Sequence, residues 1–133
     1  MLVLLSLLAC SLQASSLVSF GAQPYLDGMW EARAMTCEAG LEEALLLYEA
    51  GEHGQASELV EAVYEGSFEP ELEPLVRELV GARASLEVEY RFGLLRQAMA
   101  GRDKARVQAQ TEALSGALIR HAEELDGLRA VLR

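Results

Sequence analysis

The chain has 133 residues, of which 51% are hydrophobic and only 6% are aromatic. This length suits one domain with a single core, and that core must be built from Leu, Ala and Val more than from rings. Asp and Glu number 21 against 11 Lys and Arg, so the net charge is −10. Nucleic-acid-binding proteins carry basic stripes, and we therefore expect no nucleic-acid partner.

The N-terminal segment carries no charged side chain before Asp27. Its apolar run, residues 2–9, is shorter than the roughly 20 residues that span a bilayer, and small and polar residues follow it, as in secretory signals. Residues 7–10 also read as a lipobox, with Cys10 as the acylated residue. A third interpretation is a membrane anchor that uses all of residues 1–22. Each alternative predicts export, with the protein periplasmic or attached to the membrane of the cell envelope through its N-terminus.

Apolar residues beyond Asp27 follow helical spacing. The first predicted helix has Asp27 as its cap and ends near Gly51. Its apolar face consists of Trp30, Ala34, Cys37, Leu41, Ala44 and Tyr48. Because Cys37 falls on this face, we expect its thiol to pack in the core.

Three more helices are predicted after the turn at Gly51. The second begins at Gln55 and is interrupted by Gly66 and Pro70. Pro74 suits the first turn of the third helix, where a missing N–H is tolerated. The third helix runs to Gly101 through Leu75, Leu79, Leu86, Tyr90 and Leu94. The fourth has the most regular apolar face, formed by Val107, Thr111, Leu114, Leu118, His121, Leu125, Leu128 and Leu132.

The pattern shows no strand-like alternation, and the helices are joined by short connections. Sequential helices with short connections favour antiparallel neighbours. The fold class predicted for residues 27–133 is therefore all-α, an antiparallel up-down four-helix bundle preceded by a signal or anchor segment.

Aromatic and acidic residues recur in a fixed order between Tyr48 and Gly101. The ordered set is Tyr48-Glu49-Ala50-Gly51, Ala62-Val63-Tyr64, Phe68-Glu69, Leu72-Glu73, Leu86-Glu87, Tyr90, Leu94-Leu95-Arg96 and Gly101. This set resembles the N-terminal periplasmic domain of bacterial high-affinity iron permeases and their lead-uptake relatives. The resemblance implies an accessory role in the uptake of iron or another divalent cation, with a membrane iron permease or other envelope protein as partner. The Arg-Glu-x-x-Glu signature of the permease itself is incomplete at residues 77–81, so transport activity is not implied.

Carboxylates that converge from neighbouring helices suit hard divalent cations, including iron. The segment from Tyr64 to Arg96 offers four such carboxylates, and an HxxE pair on the fourth helix offers a histidine with a further one. The candidate metal ligands are Glu65, Glu69, Glu73, Glu87, His121 and Glu124.

A structural interpretation competes for the same residues. Glu73 precedes Arg77 by four positions, and Glu87 precedes Arg91 by four, so both carboxylates can form pairs within a helix. His121 falls on the apolar face of the fourth helix, where a hydrogen-bonded core histidine is the ordinary outcome. The same residues thus serve either a cation site or internal salt bridges.

No glycine-rich phosphate loop, nucleophile elbow or HExxH motif is present, and we predict a protein that is not an enzyme. Two functions remain open. The first is an exported accessory domain in iron uptake, and the second is an envelope lipoprotein that acts as a structural or protein-interaction bundle with no metal role.

Overall fold

The computed structural model describes residues 28–131, and all regular secondary structure in that range is helical. The α-helices are α1 (Met29–Glu49), α2 (His53–Val63), α3 (Glu73–Leu75), α4 (Ala82–Ala100) and α5 (Lys104–Val131). The all-α prediction is confirmed. No helix in this part of the chain combines the length and apolarity that crossing a bilayer requires. The predicted leader of residues 1–22, with Cys10, and the predicted cap Asp27 lie outside the described residues.

The buried face of α1 is the predicted one, from Trp30 to Tyr48. Its first turn is capped by a residue far away in the chain. The Trp30 N–H donates to Asp126 Oδ1 at 3.3 Å, and the Glu31 N–H donates to Asp126 Oδ2 at 2.9 Å. Because first-turn N–H groups have no partner within their own helix, the Asp126 carboxylate satisfies two of them and ties the start of α1 to α5.

Helices α1 and α4 end in the same hydrogen-bonding pattern with different residues. After α1, Gly51 adopts a left-handed φ of 85°, and Glu52 N–H donates to Leu47 O at 2.9 Å. After α4, Arg102 takes the equivalent position with φ of 55°, and Asp103 N–H donates to Ala98 O at 3.3 Å. Glycine is the usual residue at this position because it has no Cβ to clash.

Between α2 and α4 the chain stays helical, with wider turns. Two π-helical segments, Tyr64–Leu72 and Val76–Val80, flank the short α3. Pro70 lies inside the first of them; it has no N–H to donate and its ring crowds a regular helical turn, which accounts for the wider winding. The expected interruption near Gly66 and Pro70 is therefore a change of helix type, with Phe68 and Leu72 both in the core.

The prediction of one continuous third helix is wrong. Gly81, with φ of 138° and ψ of 156°, ends the helical path, and α4 begins afresh at Ala82. The rotation of α4 therefore cannot be extrapolated from Leu75, and the predicted face is turned to solvent, with Leu86 65% and Tyr90 67% exposed. The residues of α4 that are buried instead are Ser85, Val88, Phe92, Leu95, Ala98 and Met99.

The core forms where α1 packs against α2 and α5, and where α5 also packs against α4. α1 approaches α2 closely at Gly40, where a Cβ would lie 2.6 Å from Val63 Cγ2. On α5 the predicted apolar face is buried from Val107 through Leu125, while Leu128 is largely exposed. The packing thus buries one face of each long helix and brings the α4 and α5 side chains of the predicted site together.

Candidate functional site

Three of the predicted site residues meet where α4 faces α5. Glu87 on α4 accepts hydrogen bonds from Arg120 Nη2 at 2.9 and 3.0 Å, and its Oε2 lies 3.1 Å from His121 Nε2. Arg91, one turn along α4, donates to Glu87 Oε1 through Nε and Nη2, both at 3.2 Å. We call these four residues the Glu87 cluster.

The Glu87 cluster holds an ionised carboxylate. Partial burial by itself would raise the pKa of Glu87, but the hydrogen bonds from His121, Arg120 and Arg91 outweigh it and lower the pKa from 4.5 to about 2. Both carboxylate oxygens already accept hydrogen bonds, and two guanidinium groups stand beside them. A cation approaching Glu87 would have to displace these donors.

His121 separates the two carboxylates that flank it. Glu87 lies at its Nε2, whereas Glu124 Oε1 lies 3.4 Å from its Nδ1 without hydrogen-bond geometry. Because the two ring nitrogens point away from each other, the two carboxylates do not converge on one point. This agrees with the wider finding that, within residues 28–131, no three His, Cys, Asp or Glu side chains are grouped to hold a metal ion. The prediction of a buried, hydrogen-bonded His121 is confirmed.

Glu73 is a buried carboxylate with two partners of its own. The Ser85 hydroxyl donates to Glu73 Oε1 at 3.0 Å, and Arg77 forms the predicted ion pair with the same oxygen. The Ser85 bond crosses the break at Gly81, so it connects α3 to α4. Glu73 thus has a structural role that the spacing to Arg77 explains only in part.

The remaining carboxylates of the predicted set, Glu65 and Glu69, are exposed on the π-helical segment Tyr64–Leu72. The six candidate ligands therefore occupy separate surroundings. Glu87 and Glu124 lie on either side of His121, Glu73 lies beside Ser85, and the other two are exposed to solvent. Cation binding by this set stays a prediction.

Two aromatic residues of the ordered set, Tyr64 and Phe68, pack together with Phe92. Phe68 and Phe92 lie 5.5 Å apart between ring centroids, and Tyr64 meets Phe92 edge to face at 5.1 Å. Arg96 stacks over Tyr64 with its Cζ 4.7 Å from the ring centroid, and donates to Glu61 Oε2 at 3.1 Å. These rings therefore serve the core and anchor one guanidinium.

Two acidic partners of this aromatic group were missed by sequence reasoning, Glu61 and Glu89. The Tyr64 hydroxyl donates to Glu89 at 2.9 and 3.1 Å, and this hydrogen bond, together with burial, raises the pKa of Tyr64 to about 12. Both carboxylates pair with residues on another helix. Spacing within one helix gives no signal for such pairs.

Cys37 is buried in the core, as predicted. Burial raises the pKa of its thiol to about 11, with the negative charge of Glu71 adding to the effect. A thiol in this state is protonated at neutral pH and is a poor nucleophile. The described part of the chain therefore assigns Cys37 a packing role.

No family model, curated protein or solved structure matches this chain.

Proposed function

We propose that the chain is an exported, non-catalytic helical domain that its N-terminal segment tethers at the cell envelope, with the tethered end resting on the membrane surface. One observation carries the proposal: the end of the molecule where α1 begins also carries an open apolar groove with exposed Leu128 and Val131.

Asp126 supports the direction of the helices that we propose. Its hydrogen bonds to the first turn of α1 bring the end of α5 beside the start of α1. Only short turns separate α1 from α2 and α4 from α5. This supports an antiparallel, up-down arrangement of the four long helices as part of the proposal, with the first and last described residues at one end.

That end carries an open apolar groove. It is lined by Leu79, Val80, Gly127, Leu128 and Val131, with Glu124 at its edge. Leu128 is 41% exposed and Val131 is 83% exposed, although both belong to a helix whose other apolar residues are largely buried. We call Leu79, Leu128 and Val131 the apolar end.

The tether sets how far the apolar end lies from the membrane. If residues 1–22 are inserted in the bilayer, residues 23–28 reach at most about 20 Å when fully extended. Apolar side chains held this close to a bilayer gain free energy by entering the boundary between headgroups and acyl chains. The lipid surface is therefore the occupant we propose for the groove.

The Glu87 cluster favours this role over a metal-carrying one. Its carboxylate is already bonded to two arginines and a histidine, and the Glu124 carboxylate faces the other side of the His121 ring. The role in iron uptake implied by the resemblance is tested beside the membrane role.

Trp30 makes the membrane role measurable, because it is the one tryptophan of the chain and lies in the first turn of α1. The full chain is reconstituted into vesicles of brominated phosphatidylcholine. We expect quenching of Trp30 fluorescence, and we expect the double variant Leu128→Asp, Val131→Asp to lose at least about half of it, because charged residues leave the interface. Leu46→Asp, at another exposed leucine, is the matched control and should leave quenching unchanged. Equal quenching in all three proteins, or none in the wild type, would refute the proposal.

A calorimetric titration with ferrous and manganous ions separates the metal role. Binding that is lost in the triple variant Glu69→Gln, Glu73→Gln, Glu87→Gln would support the iron-uptake function instead. If no heat of binding is measured at about 1 mM metal, a concentration at which even weak oxygen-ligand sites fill, the iron-uptake function is refuted.

A further inference from the structure

A second cleft lies at the other end of α1, roughly 30 Å along the helix from the apolar end. It opens between the start of α2 and the end of α4 and has a volume of about 450 Å³. Clefts of this size accommodate small organic molecules. Its walls include apolar side chains and polar ones from both helices, chiefly His53, Ser57, Val60, Arg96, Met99 and Arg102. We call it the α2–α4 cleft.

The lining of the α2–α4 cleft carries two arginines, Arg96 and Arg102, against one acid, Glu61, in a protein of net charge −10. Arg102 also lines an adjoining cleft together with Glu49 and Lys104, the one lysine of the chain. Arg96 is already held by Glu61, the acid that lines the same cleft. The Arg102 guanidinium forms no hydrogen bond or ion pair with any residue between 28 and 131, so it is available to a ligand.

His53 presents an unsatisfied group in the same place. Its Nδ1 is shielded from solvent and has no hydrogen-bond partner within the described residues. The ring is held edge to face against Tyr48, with centroids 4.7 Å apart. His53 therefore brings a polar ring to the wall of the cleft.

The backbone conformation of Arg102 is unusual for an arginine. Gly51 and Arg102 occupy the same left-handed position after α1 and α4, and within residues 28–131 Arg102 is the one residue other than glycine with positive φ. An arginine there is less stable than a glycine because its Cβ crowds the carbonyl. Arg102, which is unfavourable at this backbone position, is also a residue that lines both clefts.

We propose that the α2–α4 cleft binds a small organic anion, a carboxylate carried on a short apolar body. The carboxylate pairs with the Arg102 guanidinium and reaches His53 and Ser57, and the apolar body lies on Val60 and Met99. A single free guanidinium matches one carboxylate in a forked geometry. This binding site goes beyond the membrane role and does not depend on it.

Hexanoate is the probe, added to the full chain and followed by ligand-observed NMR and calorimetry. We expect saturable binding, with hexylamine, which has the same apolar body and the opposite charge, at least about tenfold weaker. Inorganic phosphate should also bind at least about tenfold more weakly, because it lacks the apolar body. No hexanoate binding, or equal binding of hexylamine or phosphate, would overturn the proposal.

Arg102→Gly separates loss of the site from loss of the fold. We expect this variant to melt about 3 °C higher, because glycine relieves the left-handed strain, while hexanoate affinity falls at least about tenfold. Arg102→Asn, which also tolerates positive φ, should lose the same affinity. Arg83→Ala removes an exposed arginine at the start of α4 and should leave affinity unchanged. Unchanged binding in the two Arg102 variants, or an equal loss in Arg83→Ala, would contradict the assignment.

Discussion

Glu87 shows how one carboxylate connects two helices. It lies on α4, and two of its three donors, Arg120 and His121, belong to α5. Because donors approach both oxygens of the carboxylate, the group is fixed in orientation and remains ionised. The charge state of Glu87 therefore depends on the packing of α4 against α5.

The substitution Glu87→Gln tests this connection through pH. The folded pKa of Glu87, about 2, lies below 4.5, so its contribution to stability is present above pH 4.5 and is lost as the pH falls towards 2. Since the side chain is 32% exposed, solvent screening limits that contribution to about 1 kcal/mol at neutral pH. We expect Glu87→Gln to be destabilised by that amount at pH 6 and to match the wild type more closely near pH 2.

Thermal melts followed by circular dichroism across this pH range supply the measurement. Glu112→Gln, an exposed glutamate of α5, is the control and should follow the wild-type curve. A Glu87→Gln curve that stays parallel to the wild-type curve at every pH would show that the carboxylate does not carry the effect.

At the scale of single residues, sequence spacing predicted the ion pairs within one helix and did not predict the contacts between helices. Glu73 with Arg77 and Glu87 with Arg91 follow from four-residue spacing, and both are present. The bond from Ser85 to Glu73, and the contact of His121 with Glu87 across 34 positions, depend on how separate helices are turned toward each other. That rotation comes from packing, which a pattern along one helix does not encode.

Helices α1 and α2 approach closely because Gly40 has no side chain. A Cβ built on Gly40 would stand 2.6 Å from Val63 Cγ2, well inside contact distance. Gly40 lies in the middle of α1, where glycine is otherwise unfavourable by about 1 kcal/mol relative to alanine. Its presence is therefore explained by the packing of these two helices.

Gly40→Ala should destabilise the protein by about 1–2 kcal/mol, because overpacking outweighs the gain in helix propensity. Chemical denaturation measures the effect. In the Val63→Ala background the clash is removed, so the same substitution at Gly40 should become neutral or stabilising. Gly116→Ala on α5, where nothing lies within 4 Å, is the matched control and should be stabilising. Destabilisation of the same size in both backgrounds would exclude the contact with Val63 as its cause.

The predictability of each element depended on whether its periodicity was unbroken. The apolar face of α1 was predicted completely, and that of α5 as far as Leu125, because each is one uninterrupted helix. The face of α4 was not, since Gly81 resets the rotation before Ala82. A pattern that continues across a break in the backbone leads to the wrong face.

On the scale of the whole molecule, Asp126 accepts hydrogen bonds from Glu31 and Trp30, which lie 95 and 96 positions before it in the sequence. Most helix caps are local, as at Asp103, which accepts from the Arg106 N–H at 3.1 Å and caps α5. The Asp126 contact instead brings the start of α1 to the end of α5. The membrane-facing end that we propose depends on this placement.

Asp126→Ala should therefore act on α1 although the substitution is in α5. We expect a loss of about 1 kcal/mol, the usual effect of losing a cap, and faster hydrogen exchange at the amides of Trp30 and Glu31. Hydrogen exchange measured by NMR gives both results. Asp103→Ala is the matched control, because it removes a cap within α5 and should accelerate exchange at Arg106 and leave Trp30 and Glu31 unaffected. Faster exchange confined to α5 in Asp126→Ala would contradict the connection.

The dependence of α1 on Asp126 also sets an order of events during biosynthesis. A ribosome releases α1 long before it reaches position 126, so α1 waits for α5 before its first turn is hydrogen-bonded. Chains cut short before Asp126 would carry α1 with two bare amides at its start. Completion of the native state is thereby postponed until α5 has been synthesised.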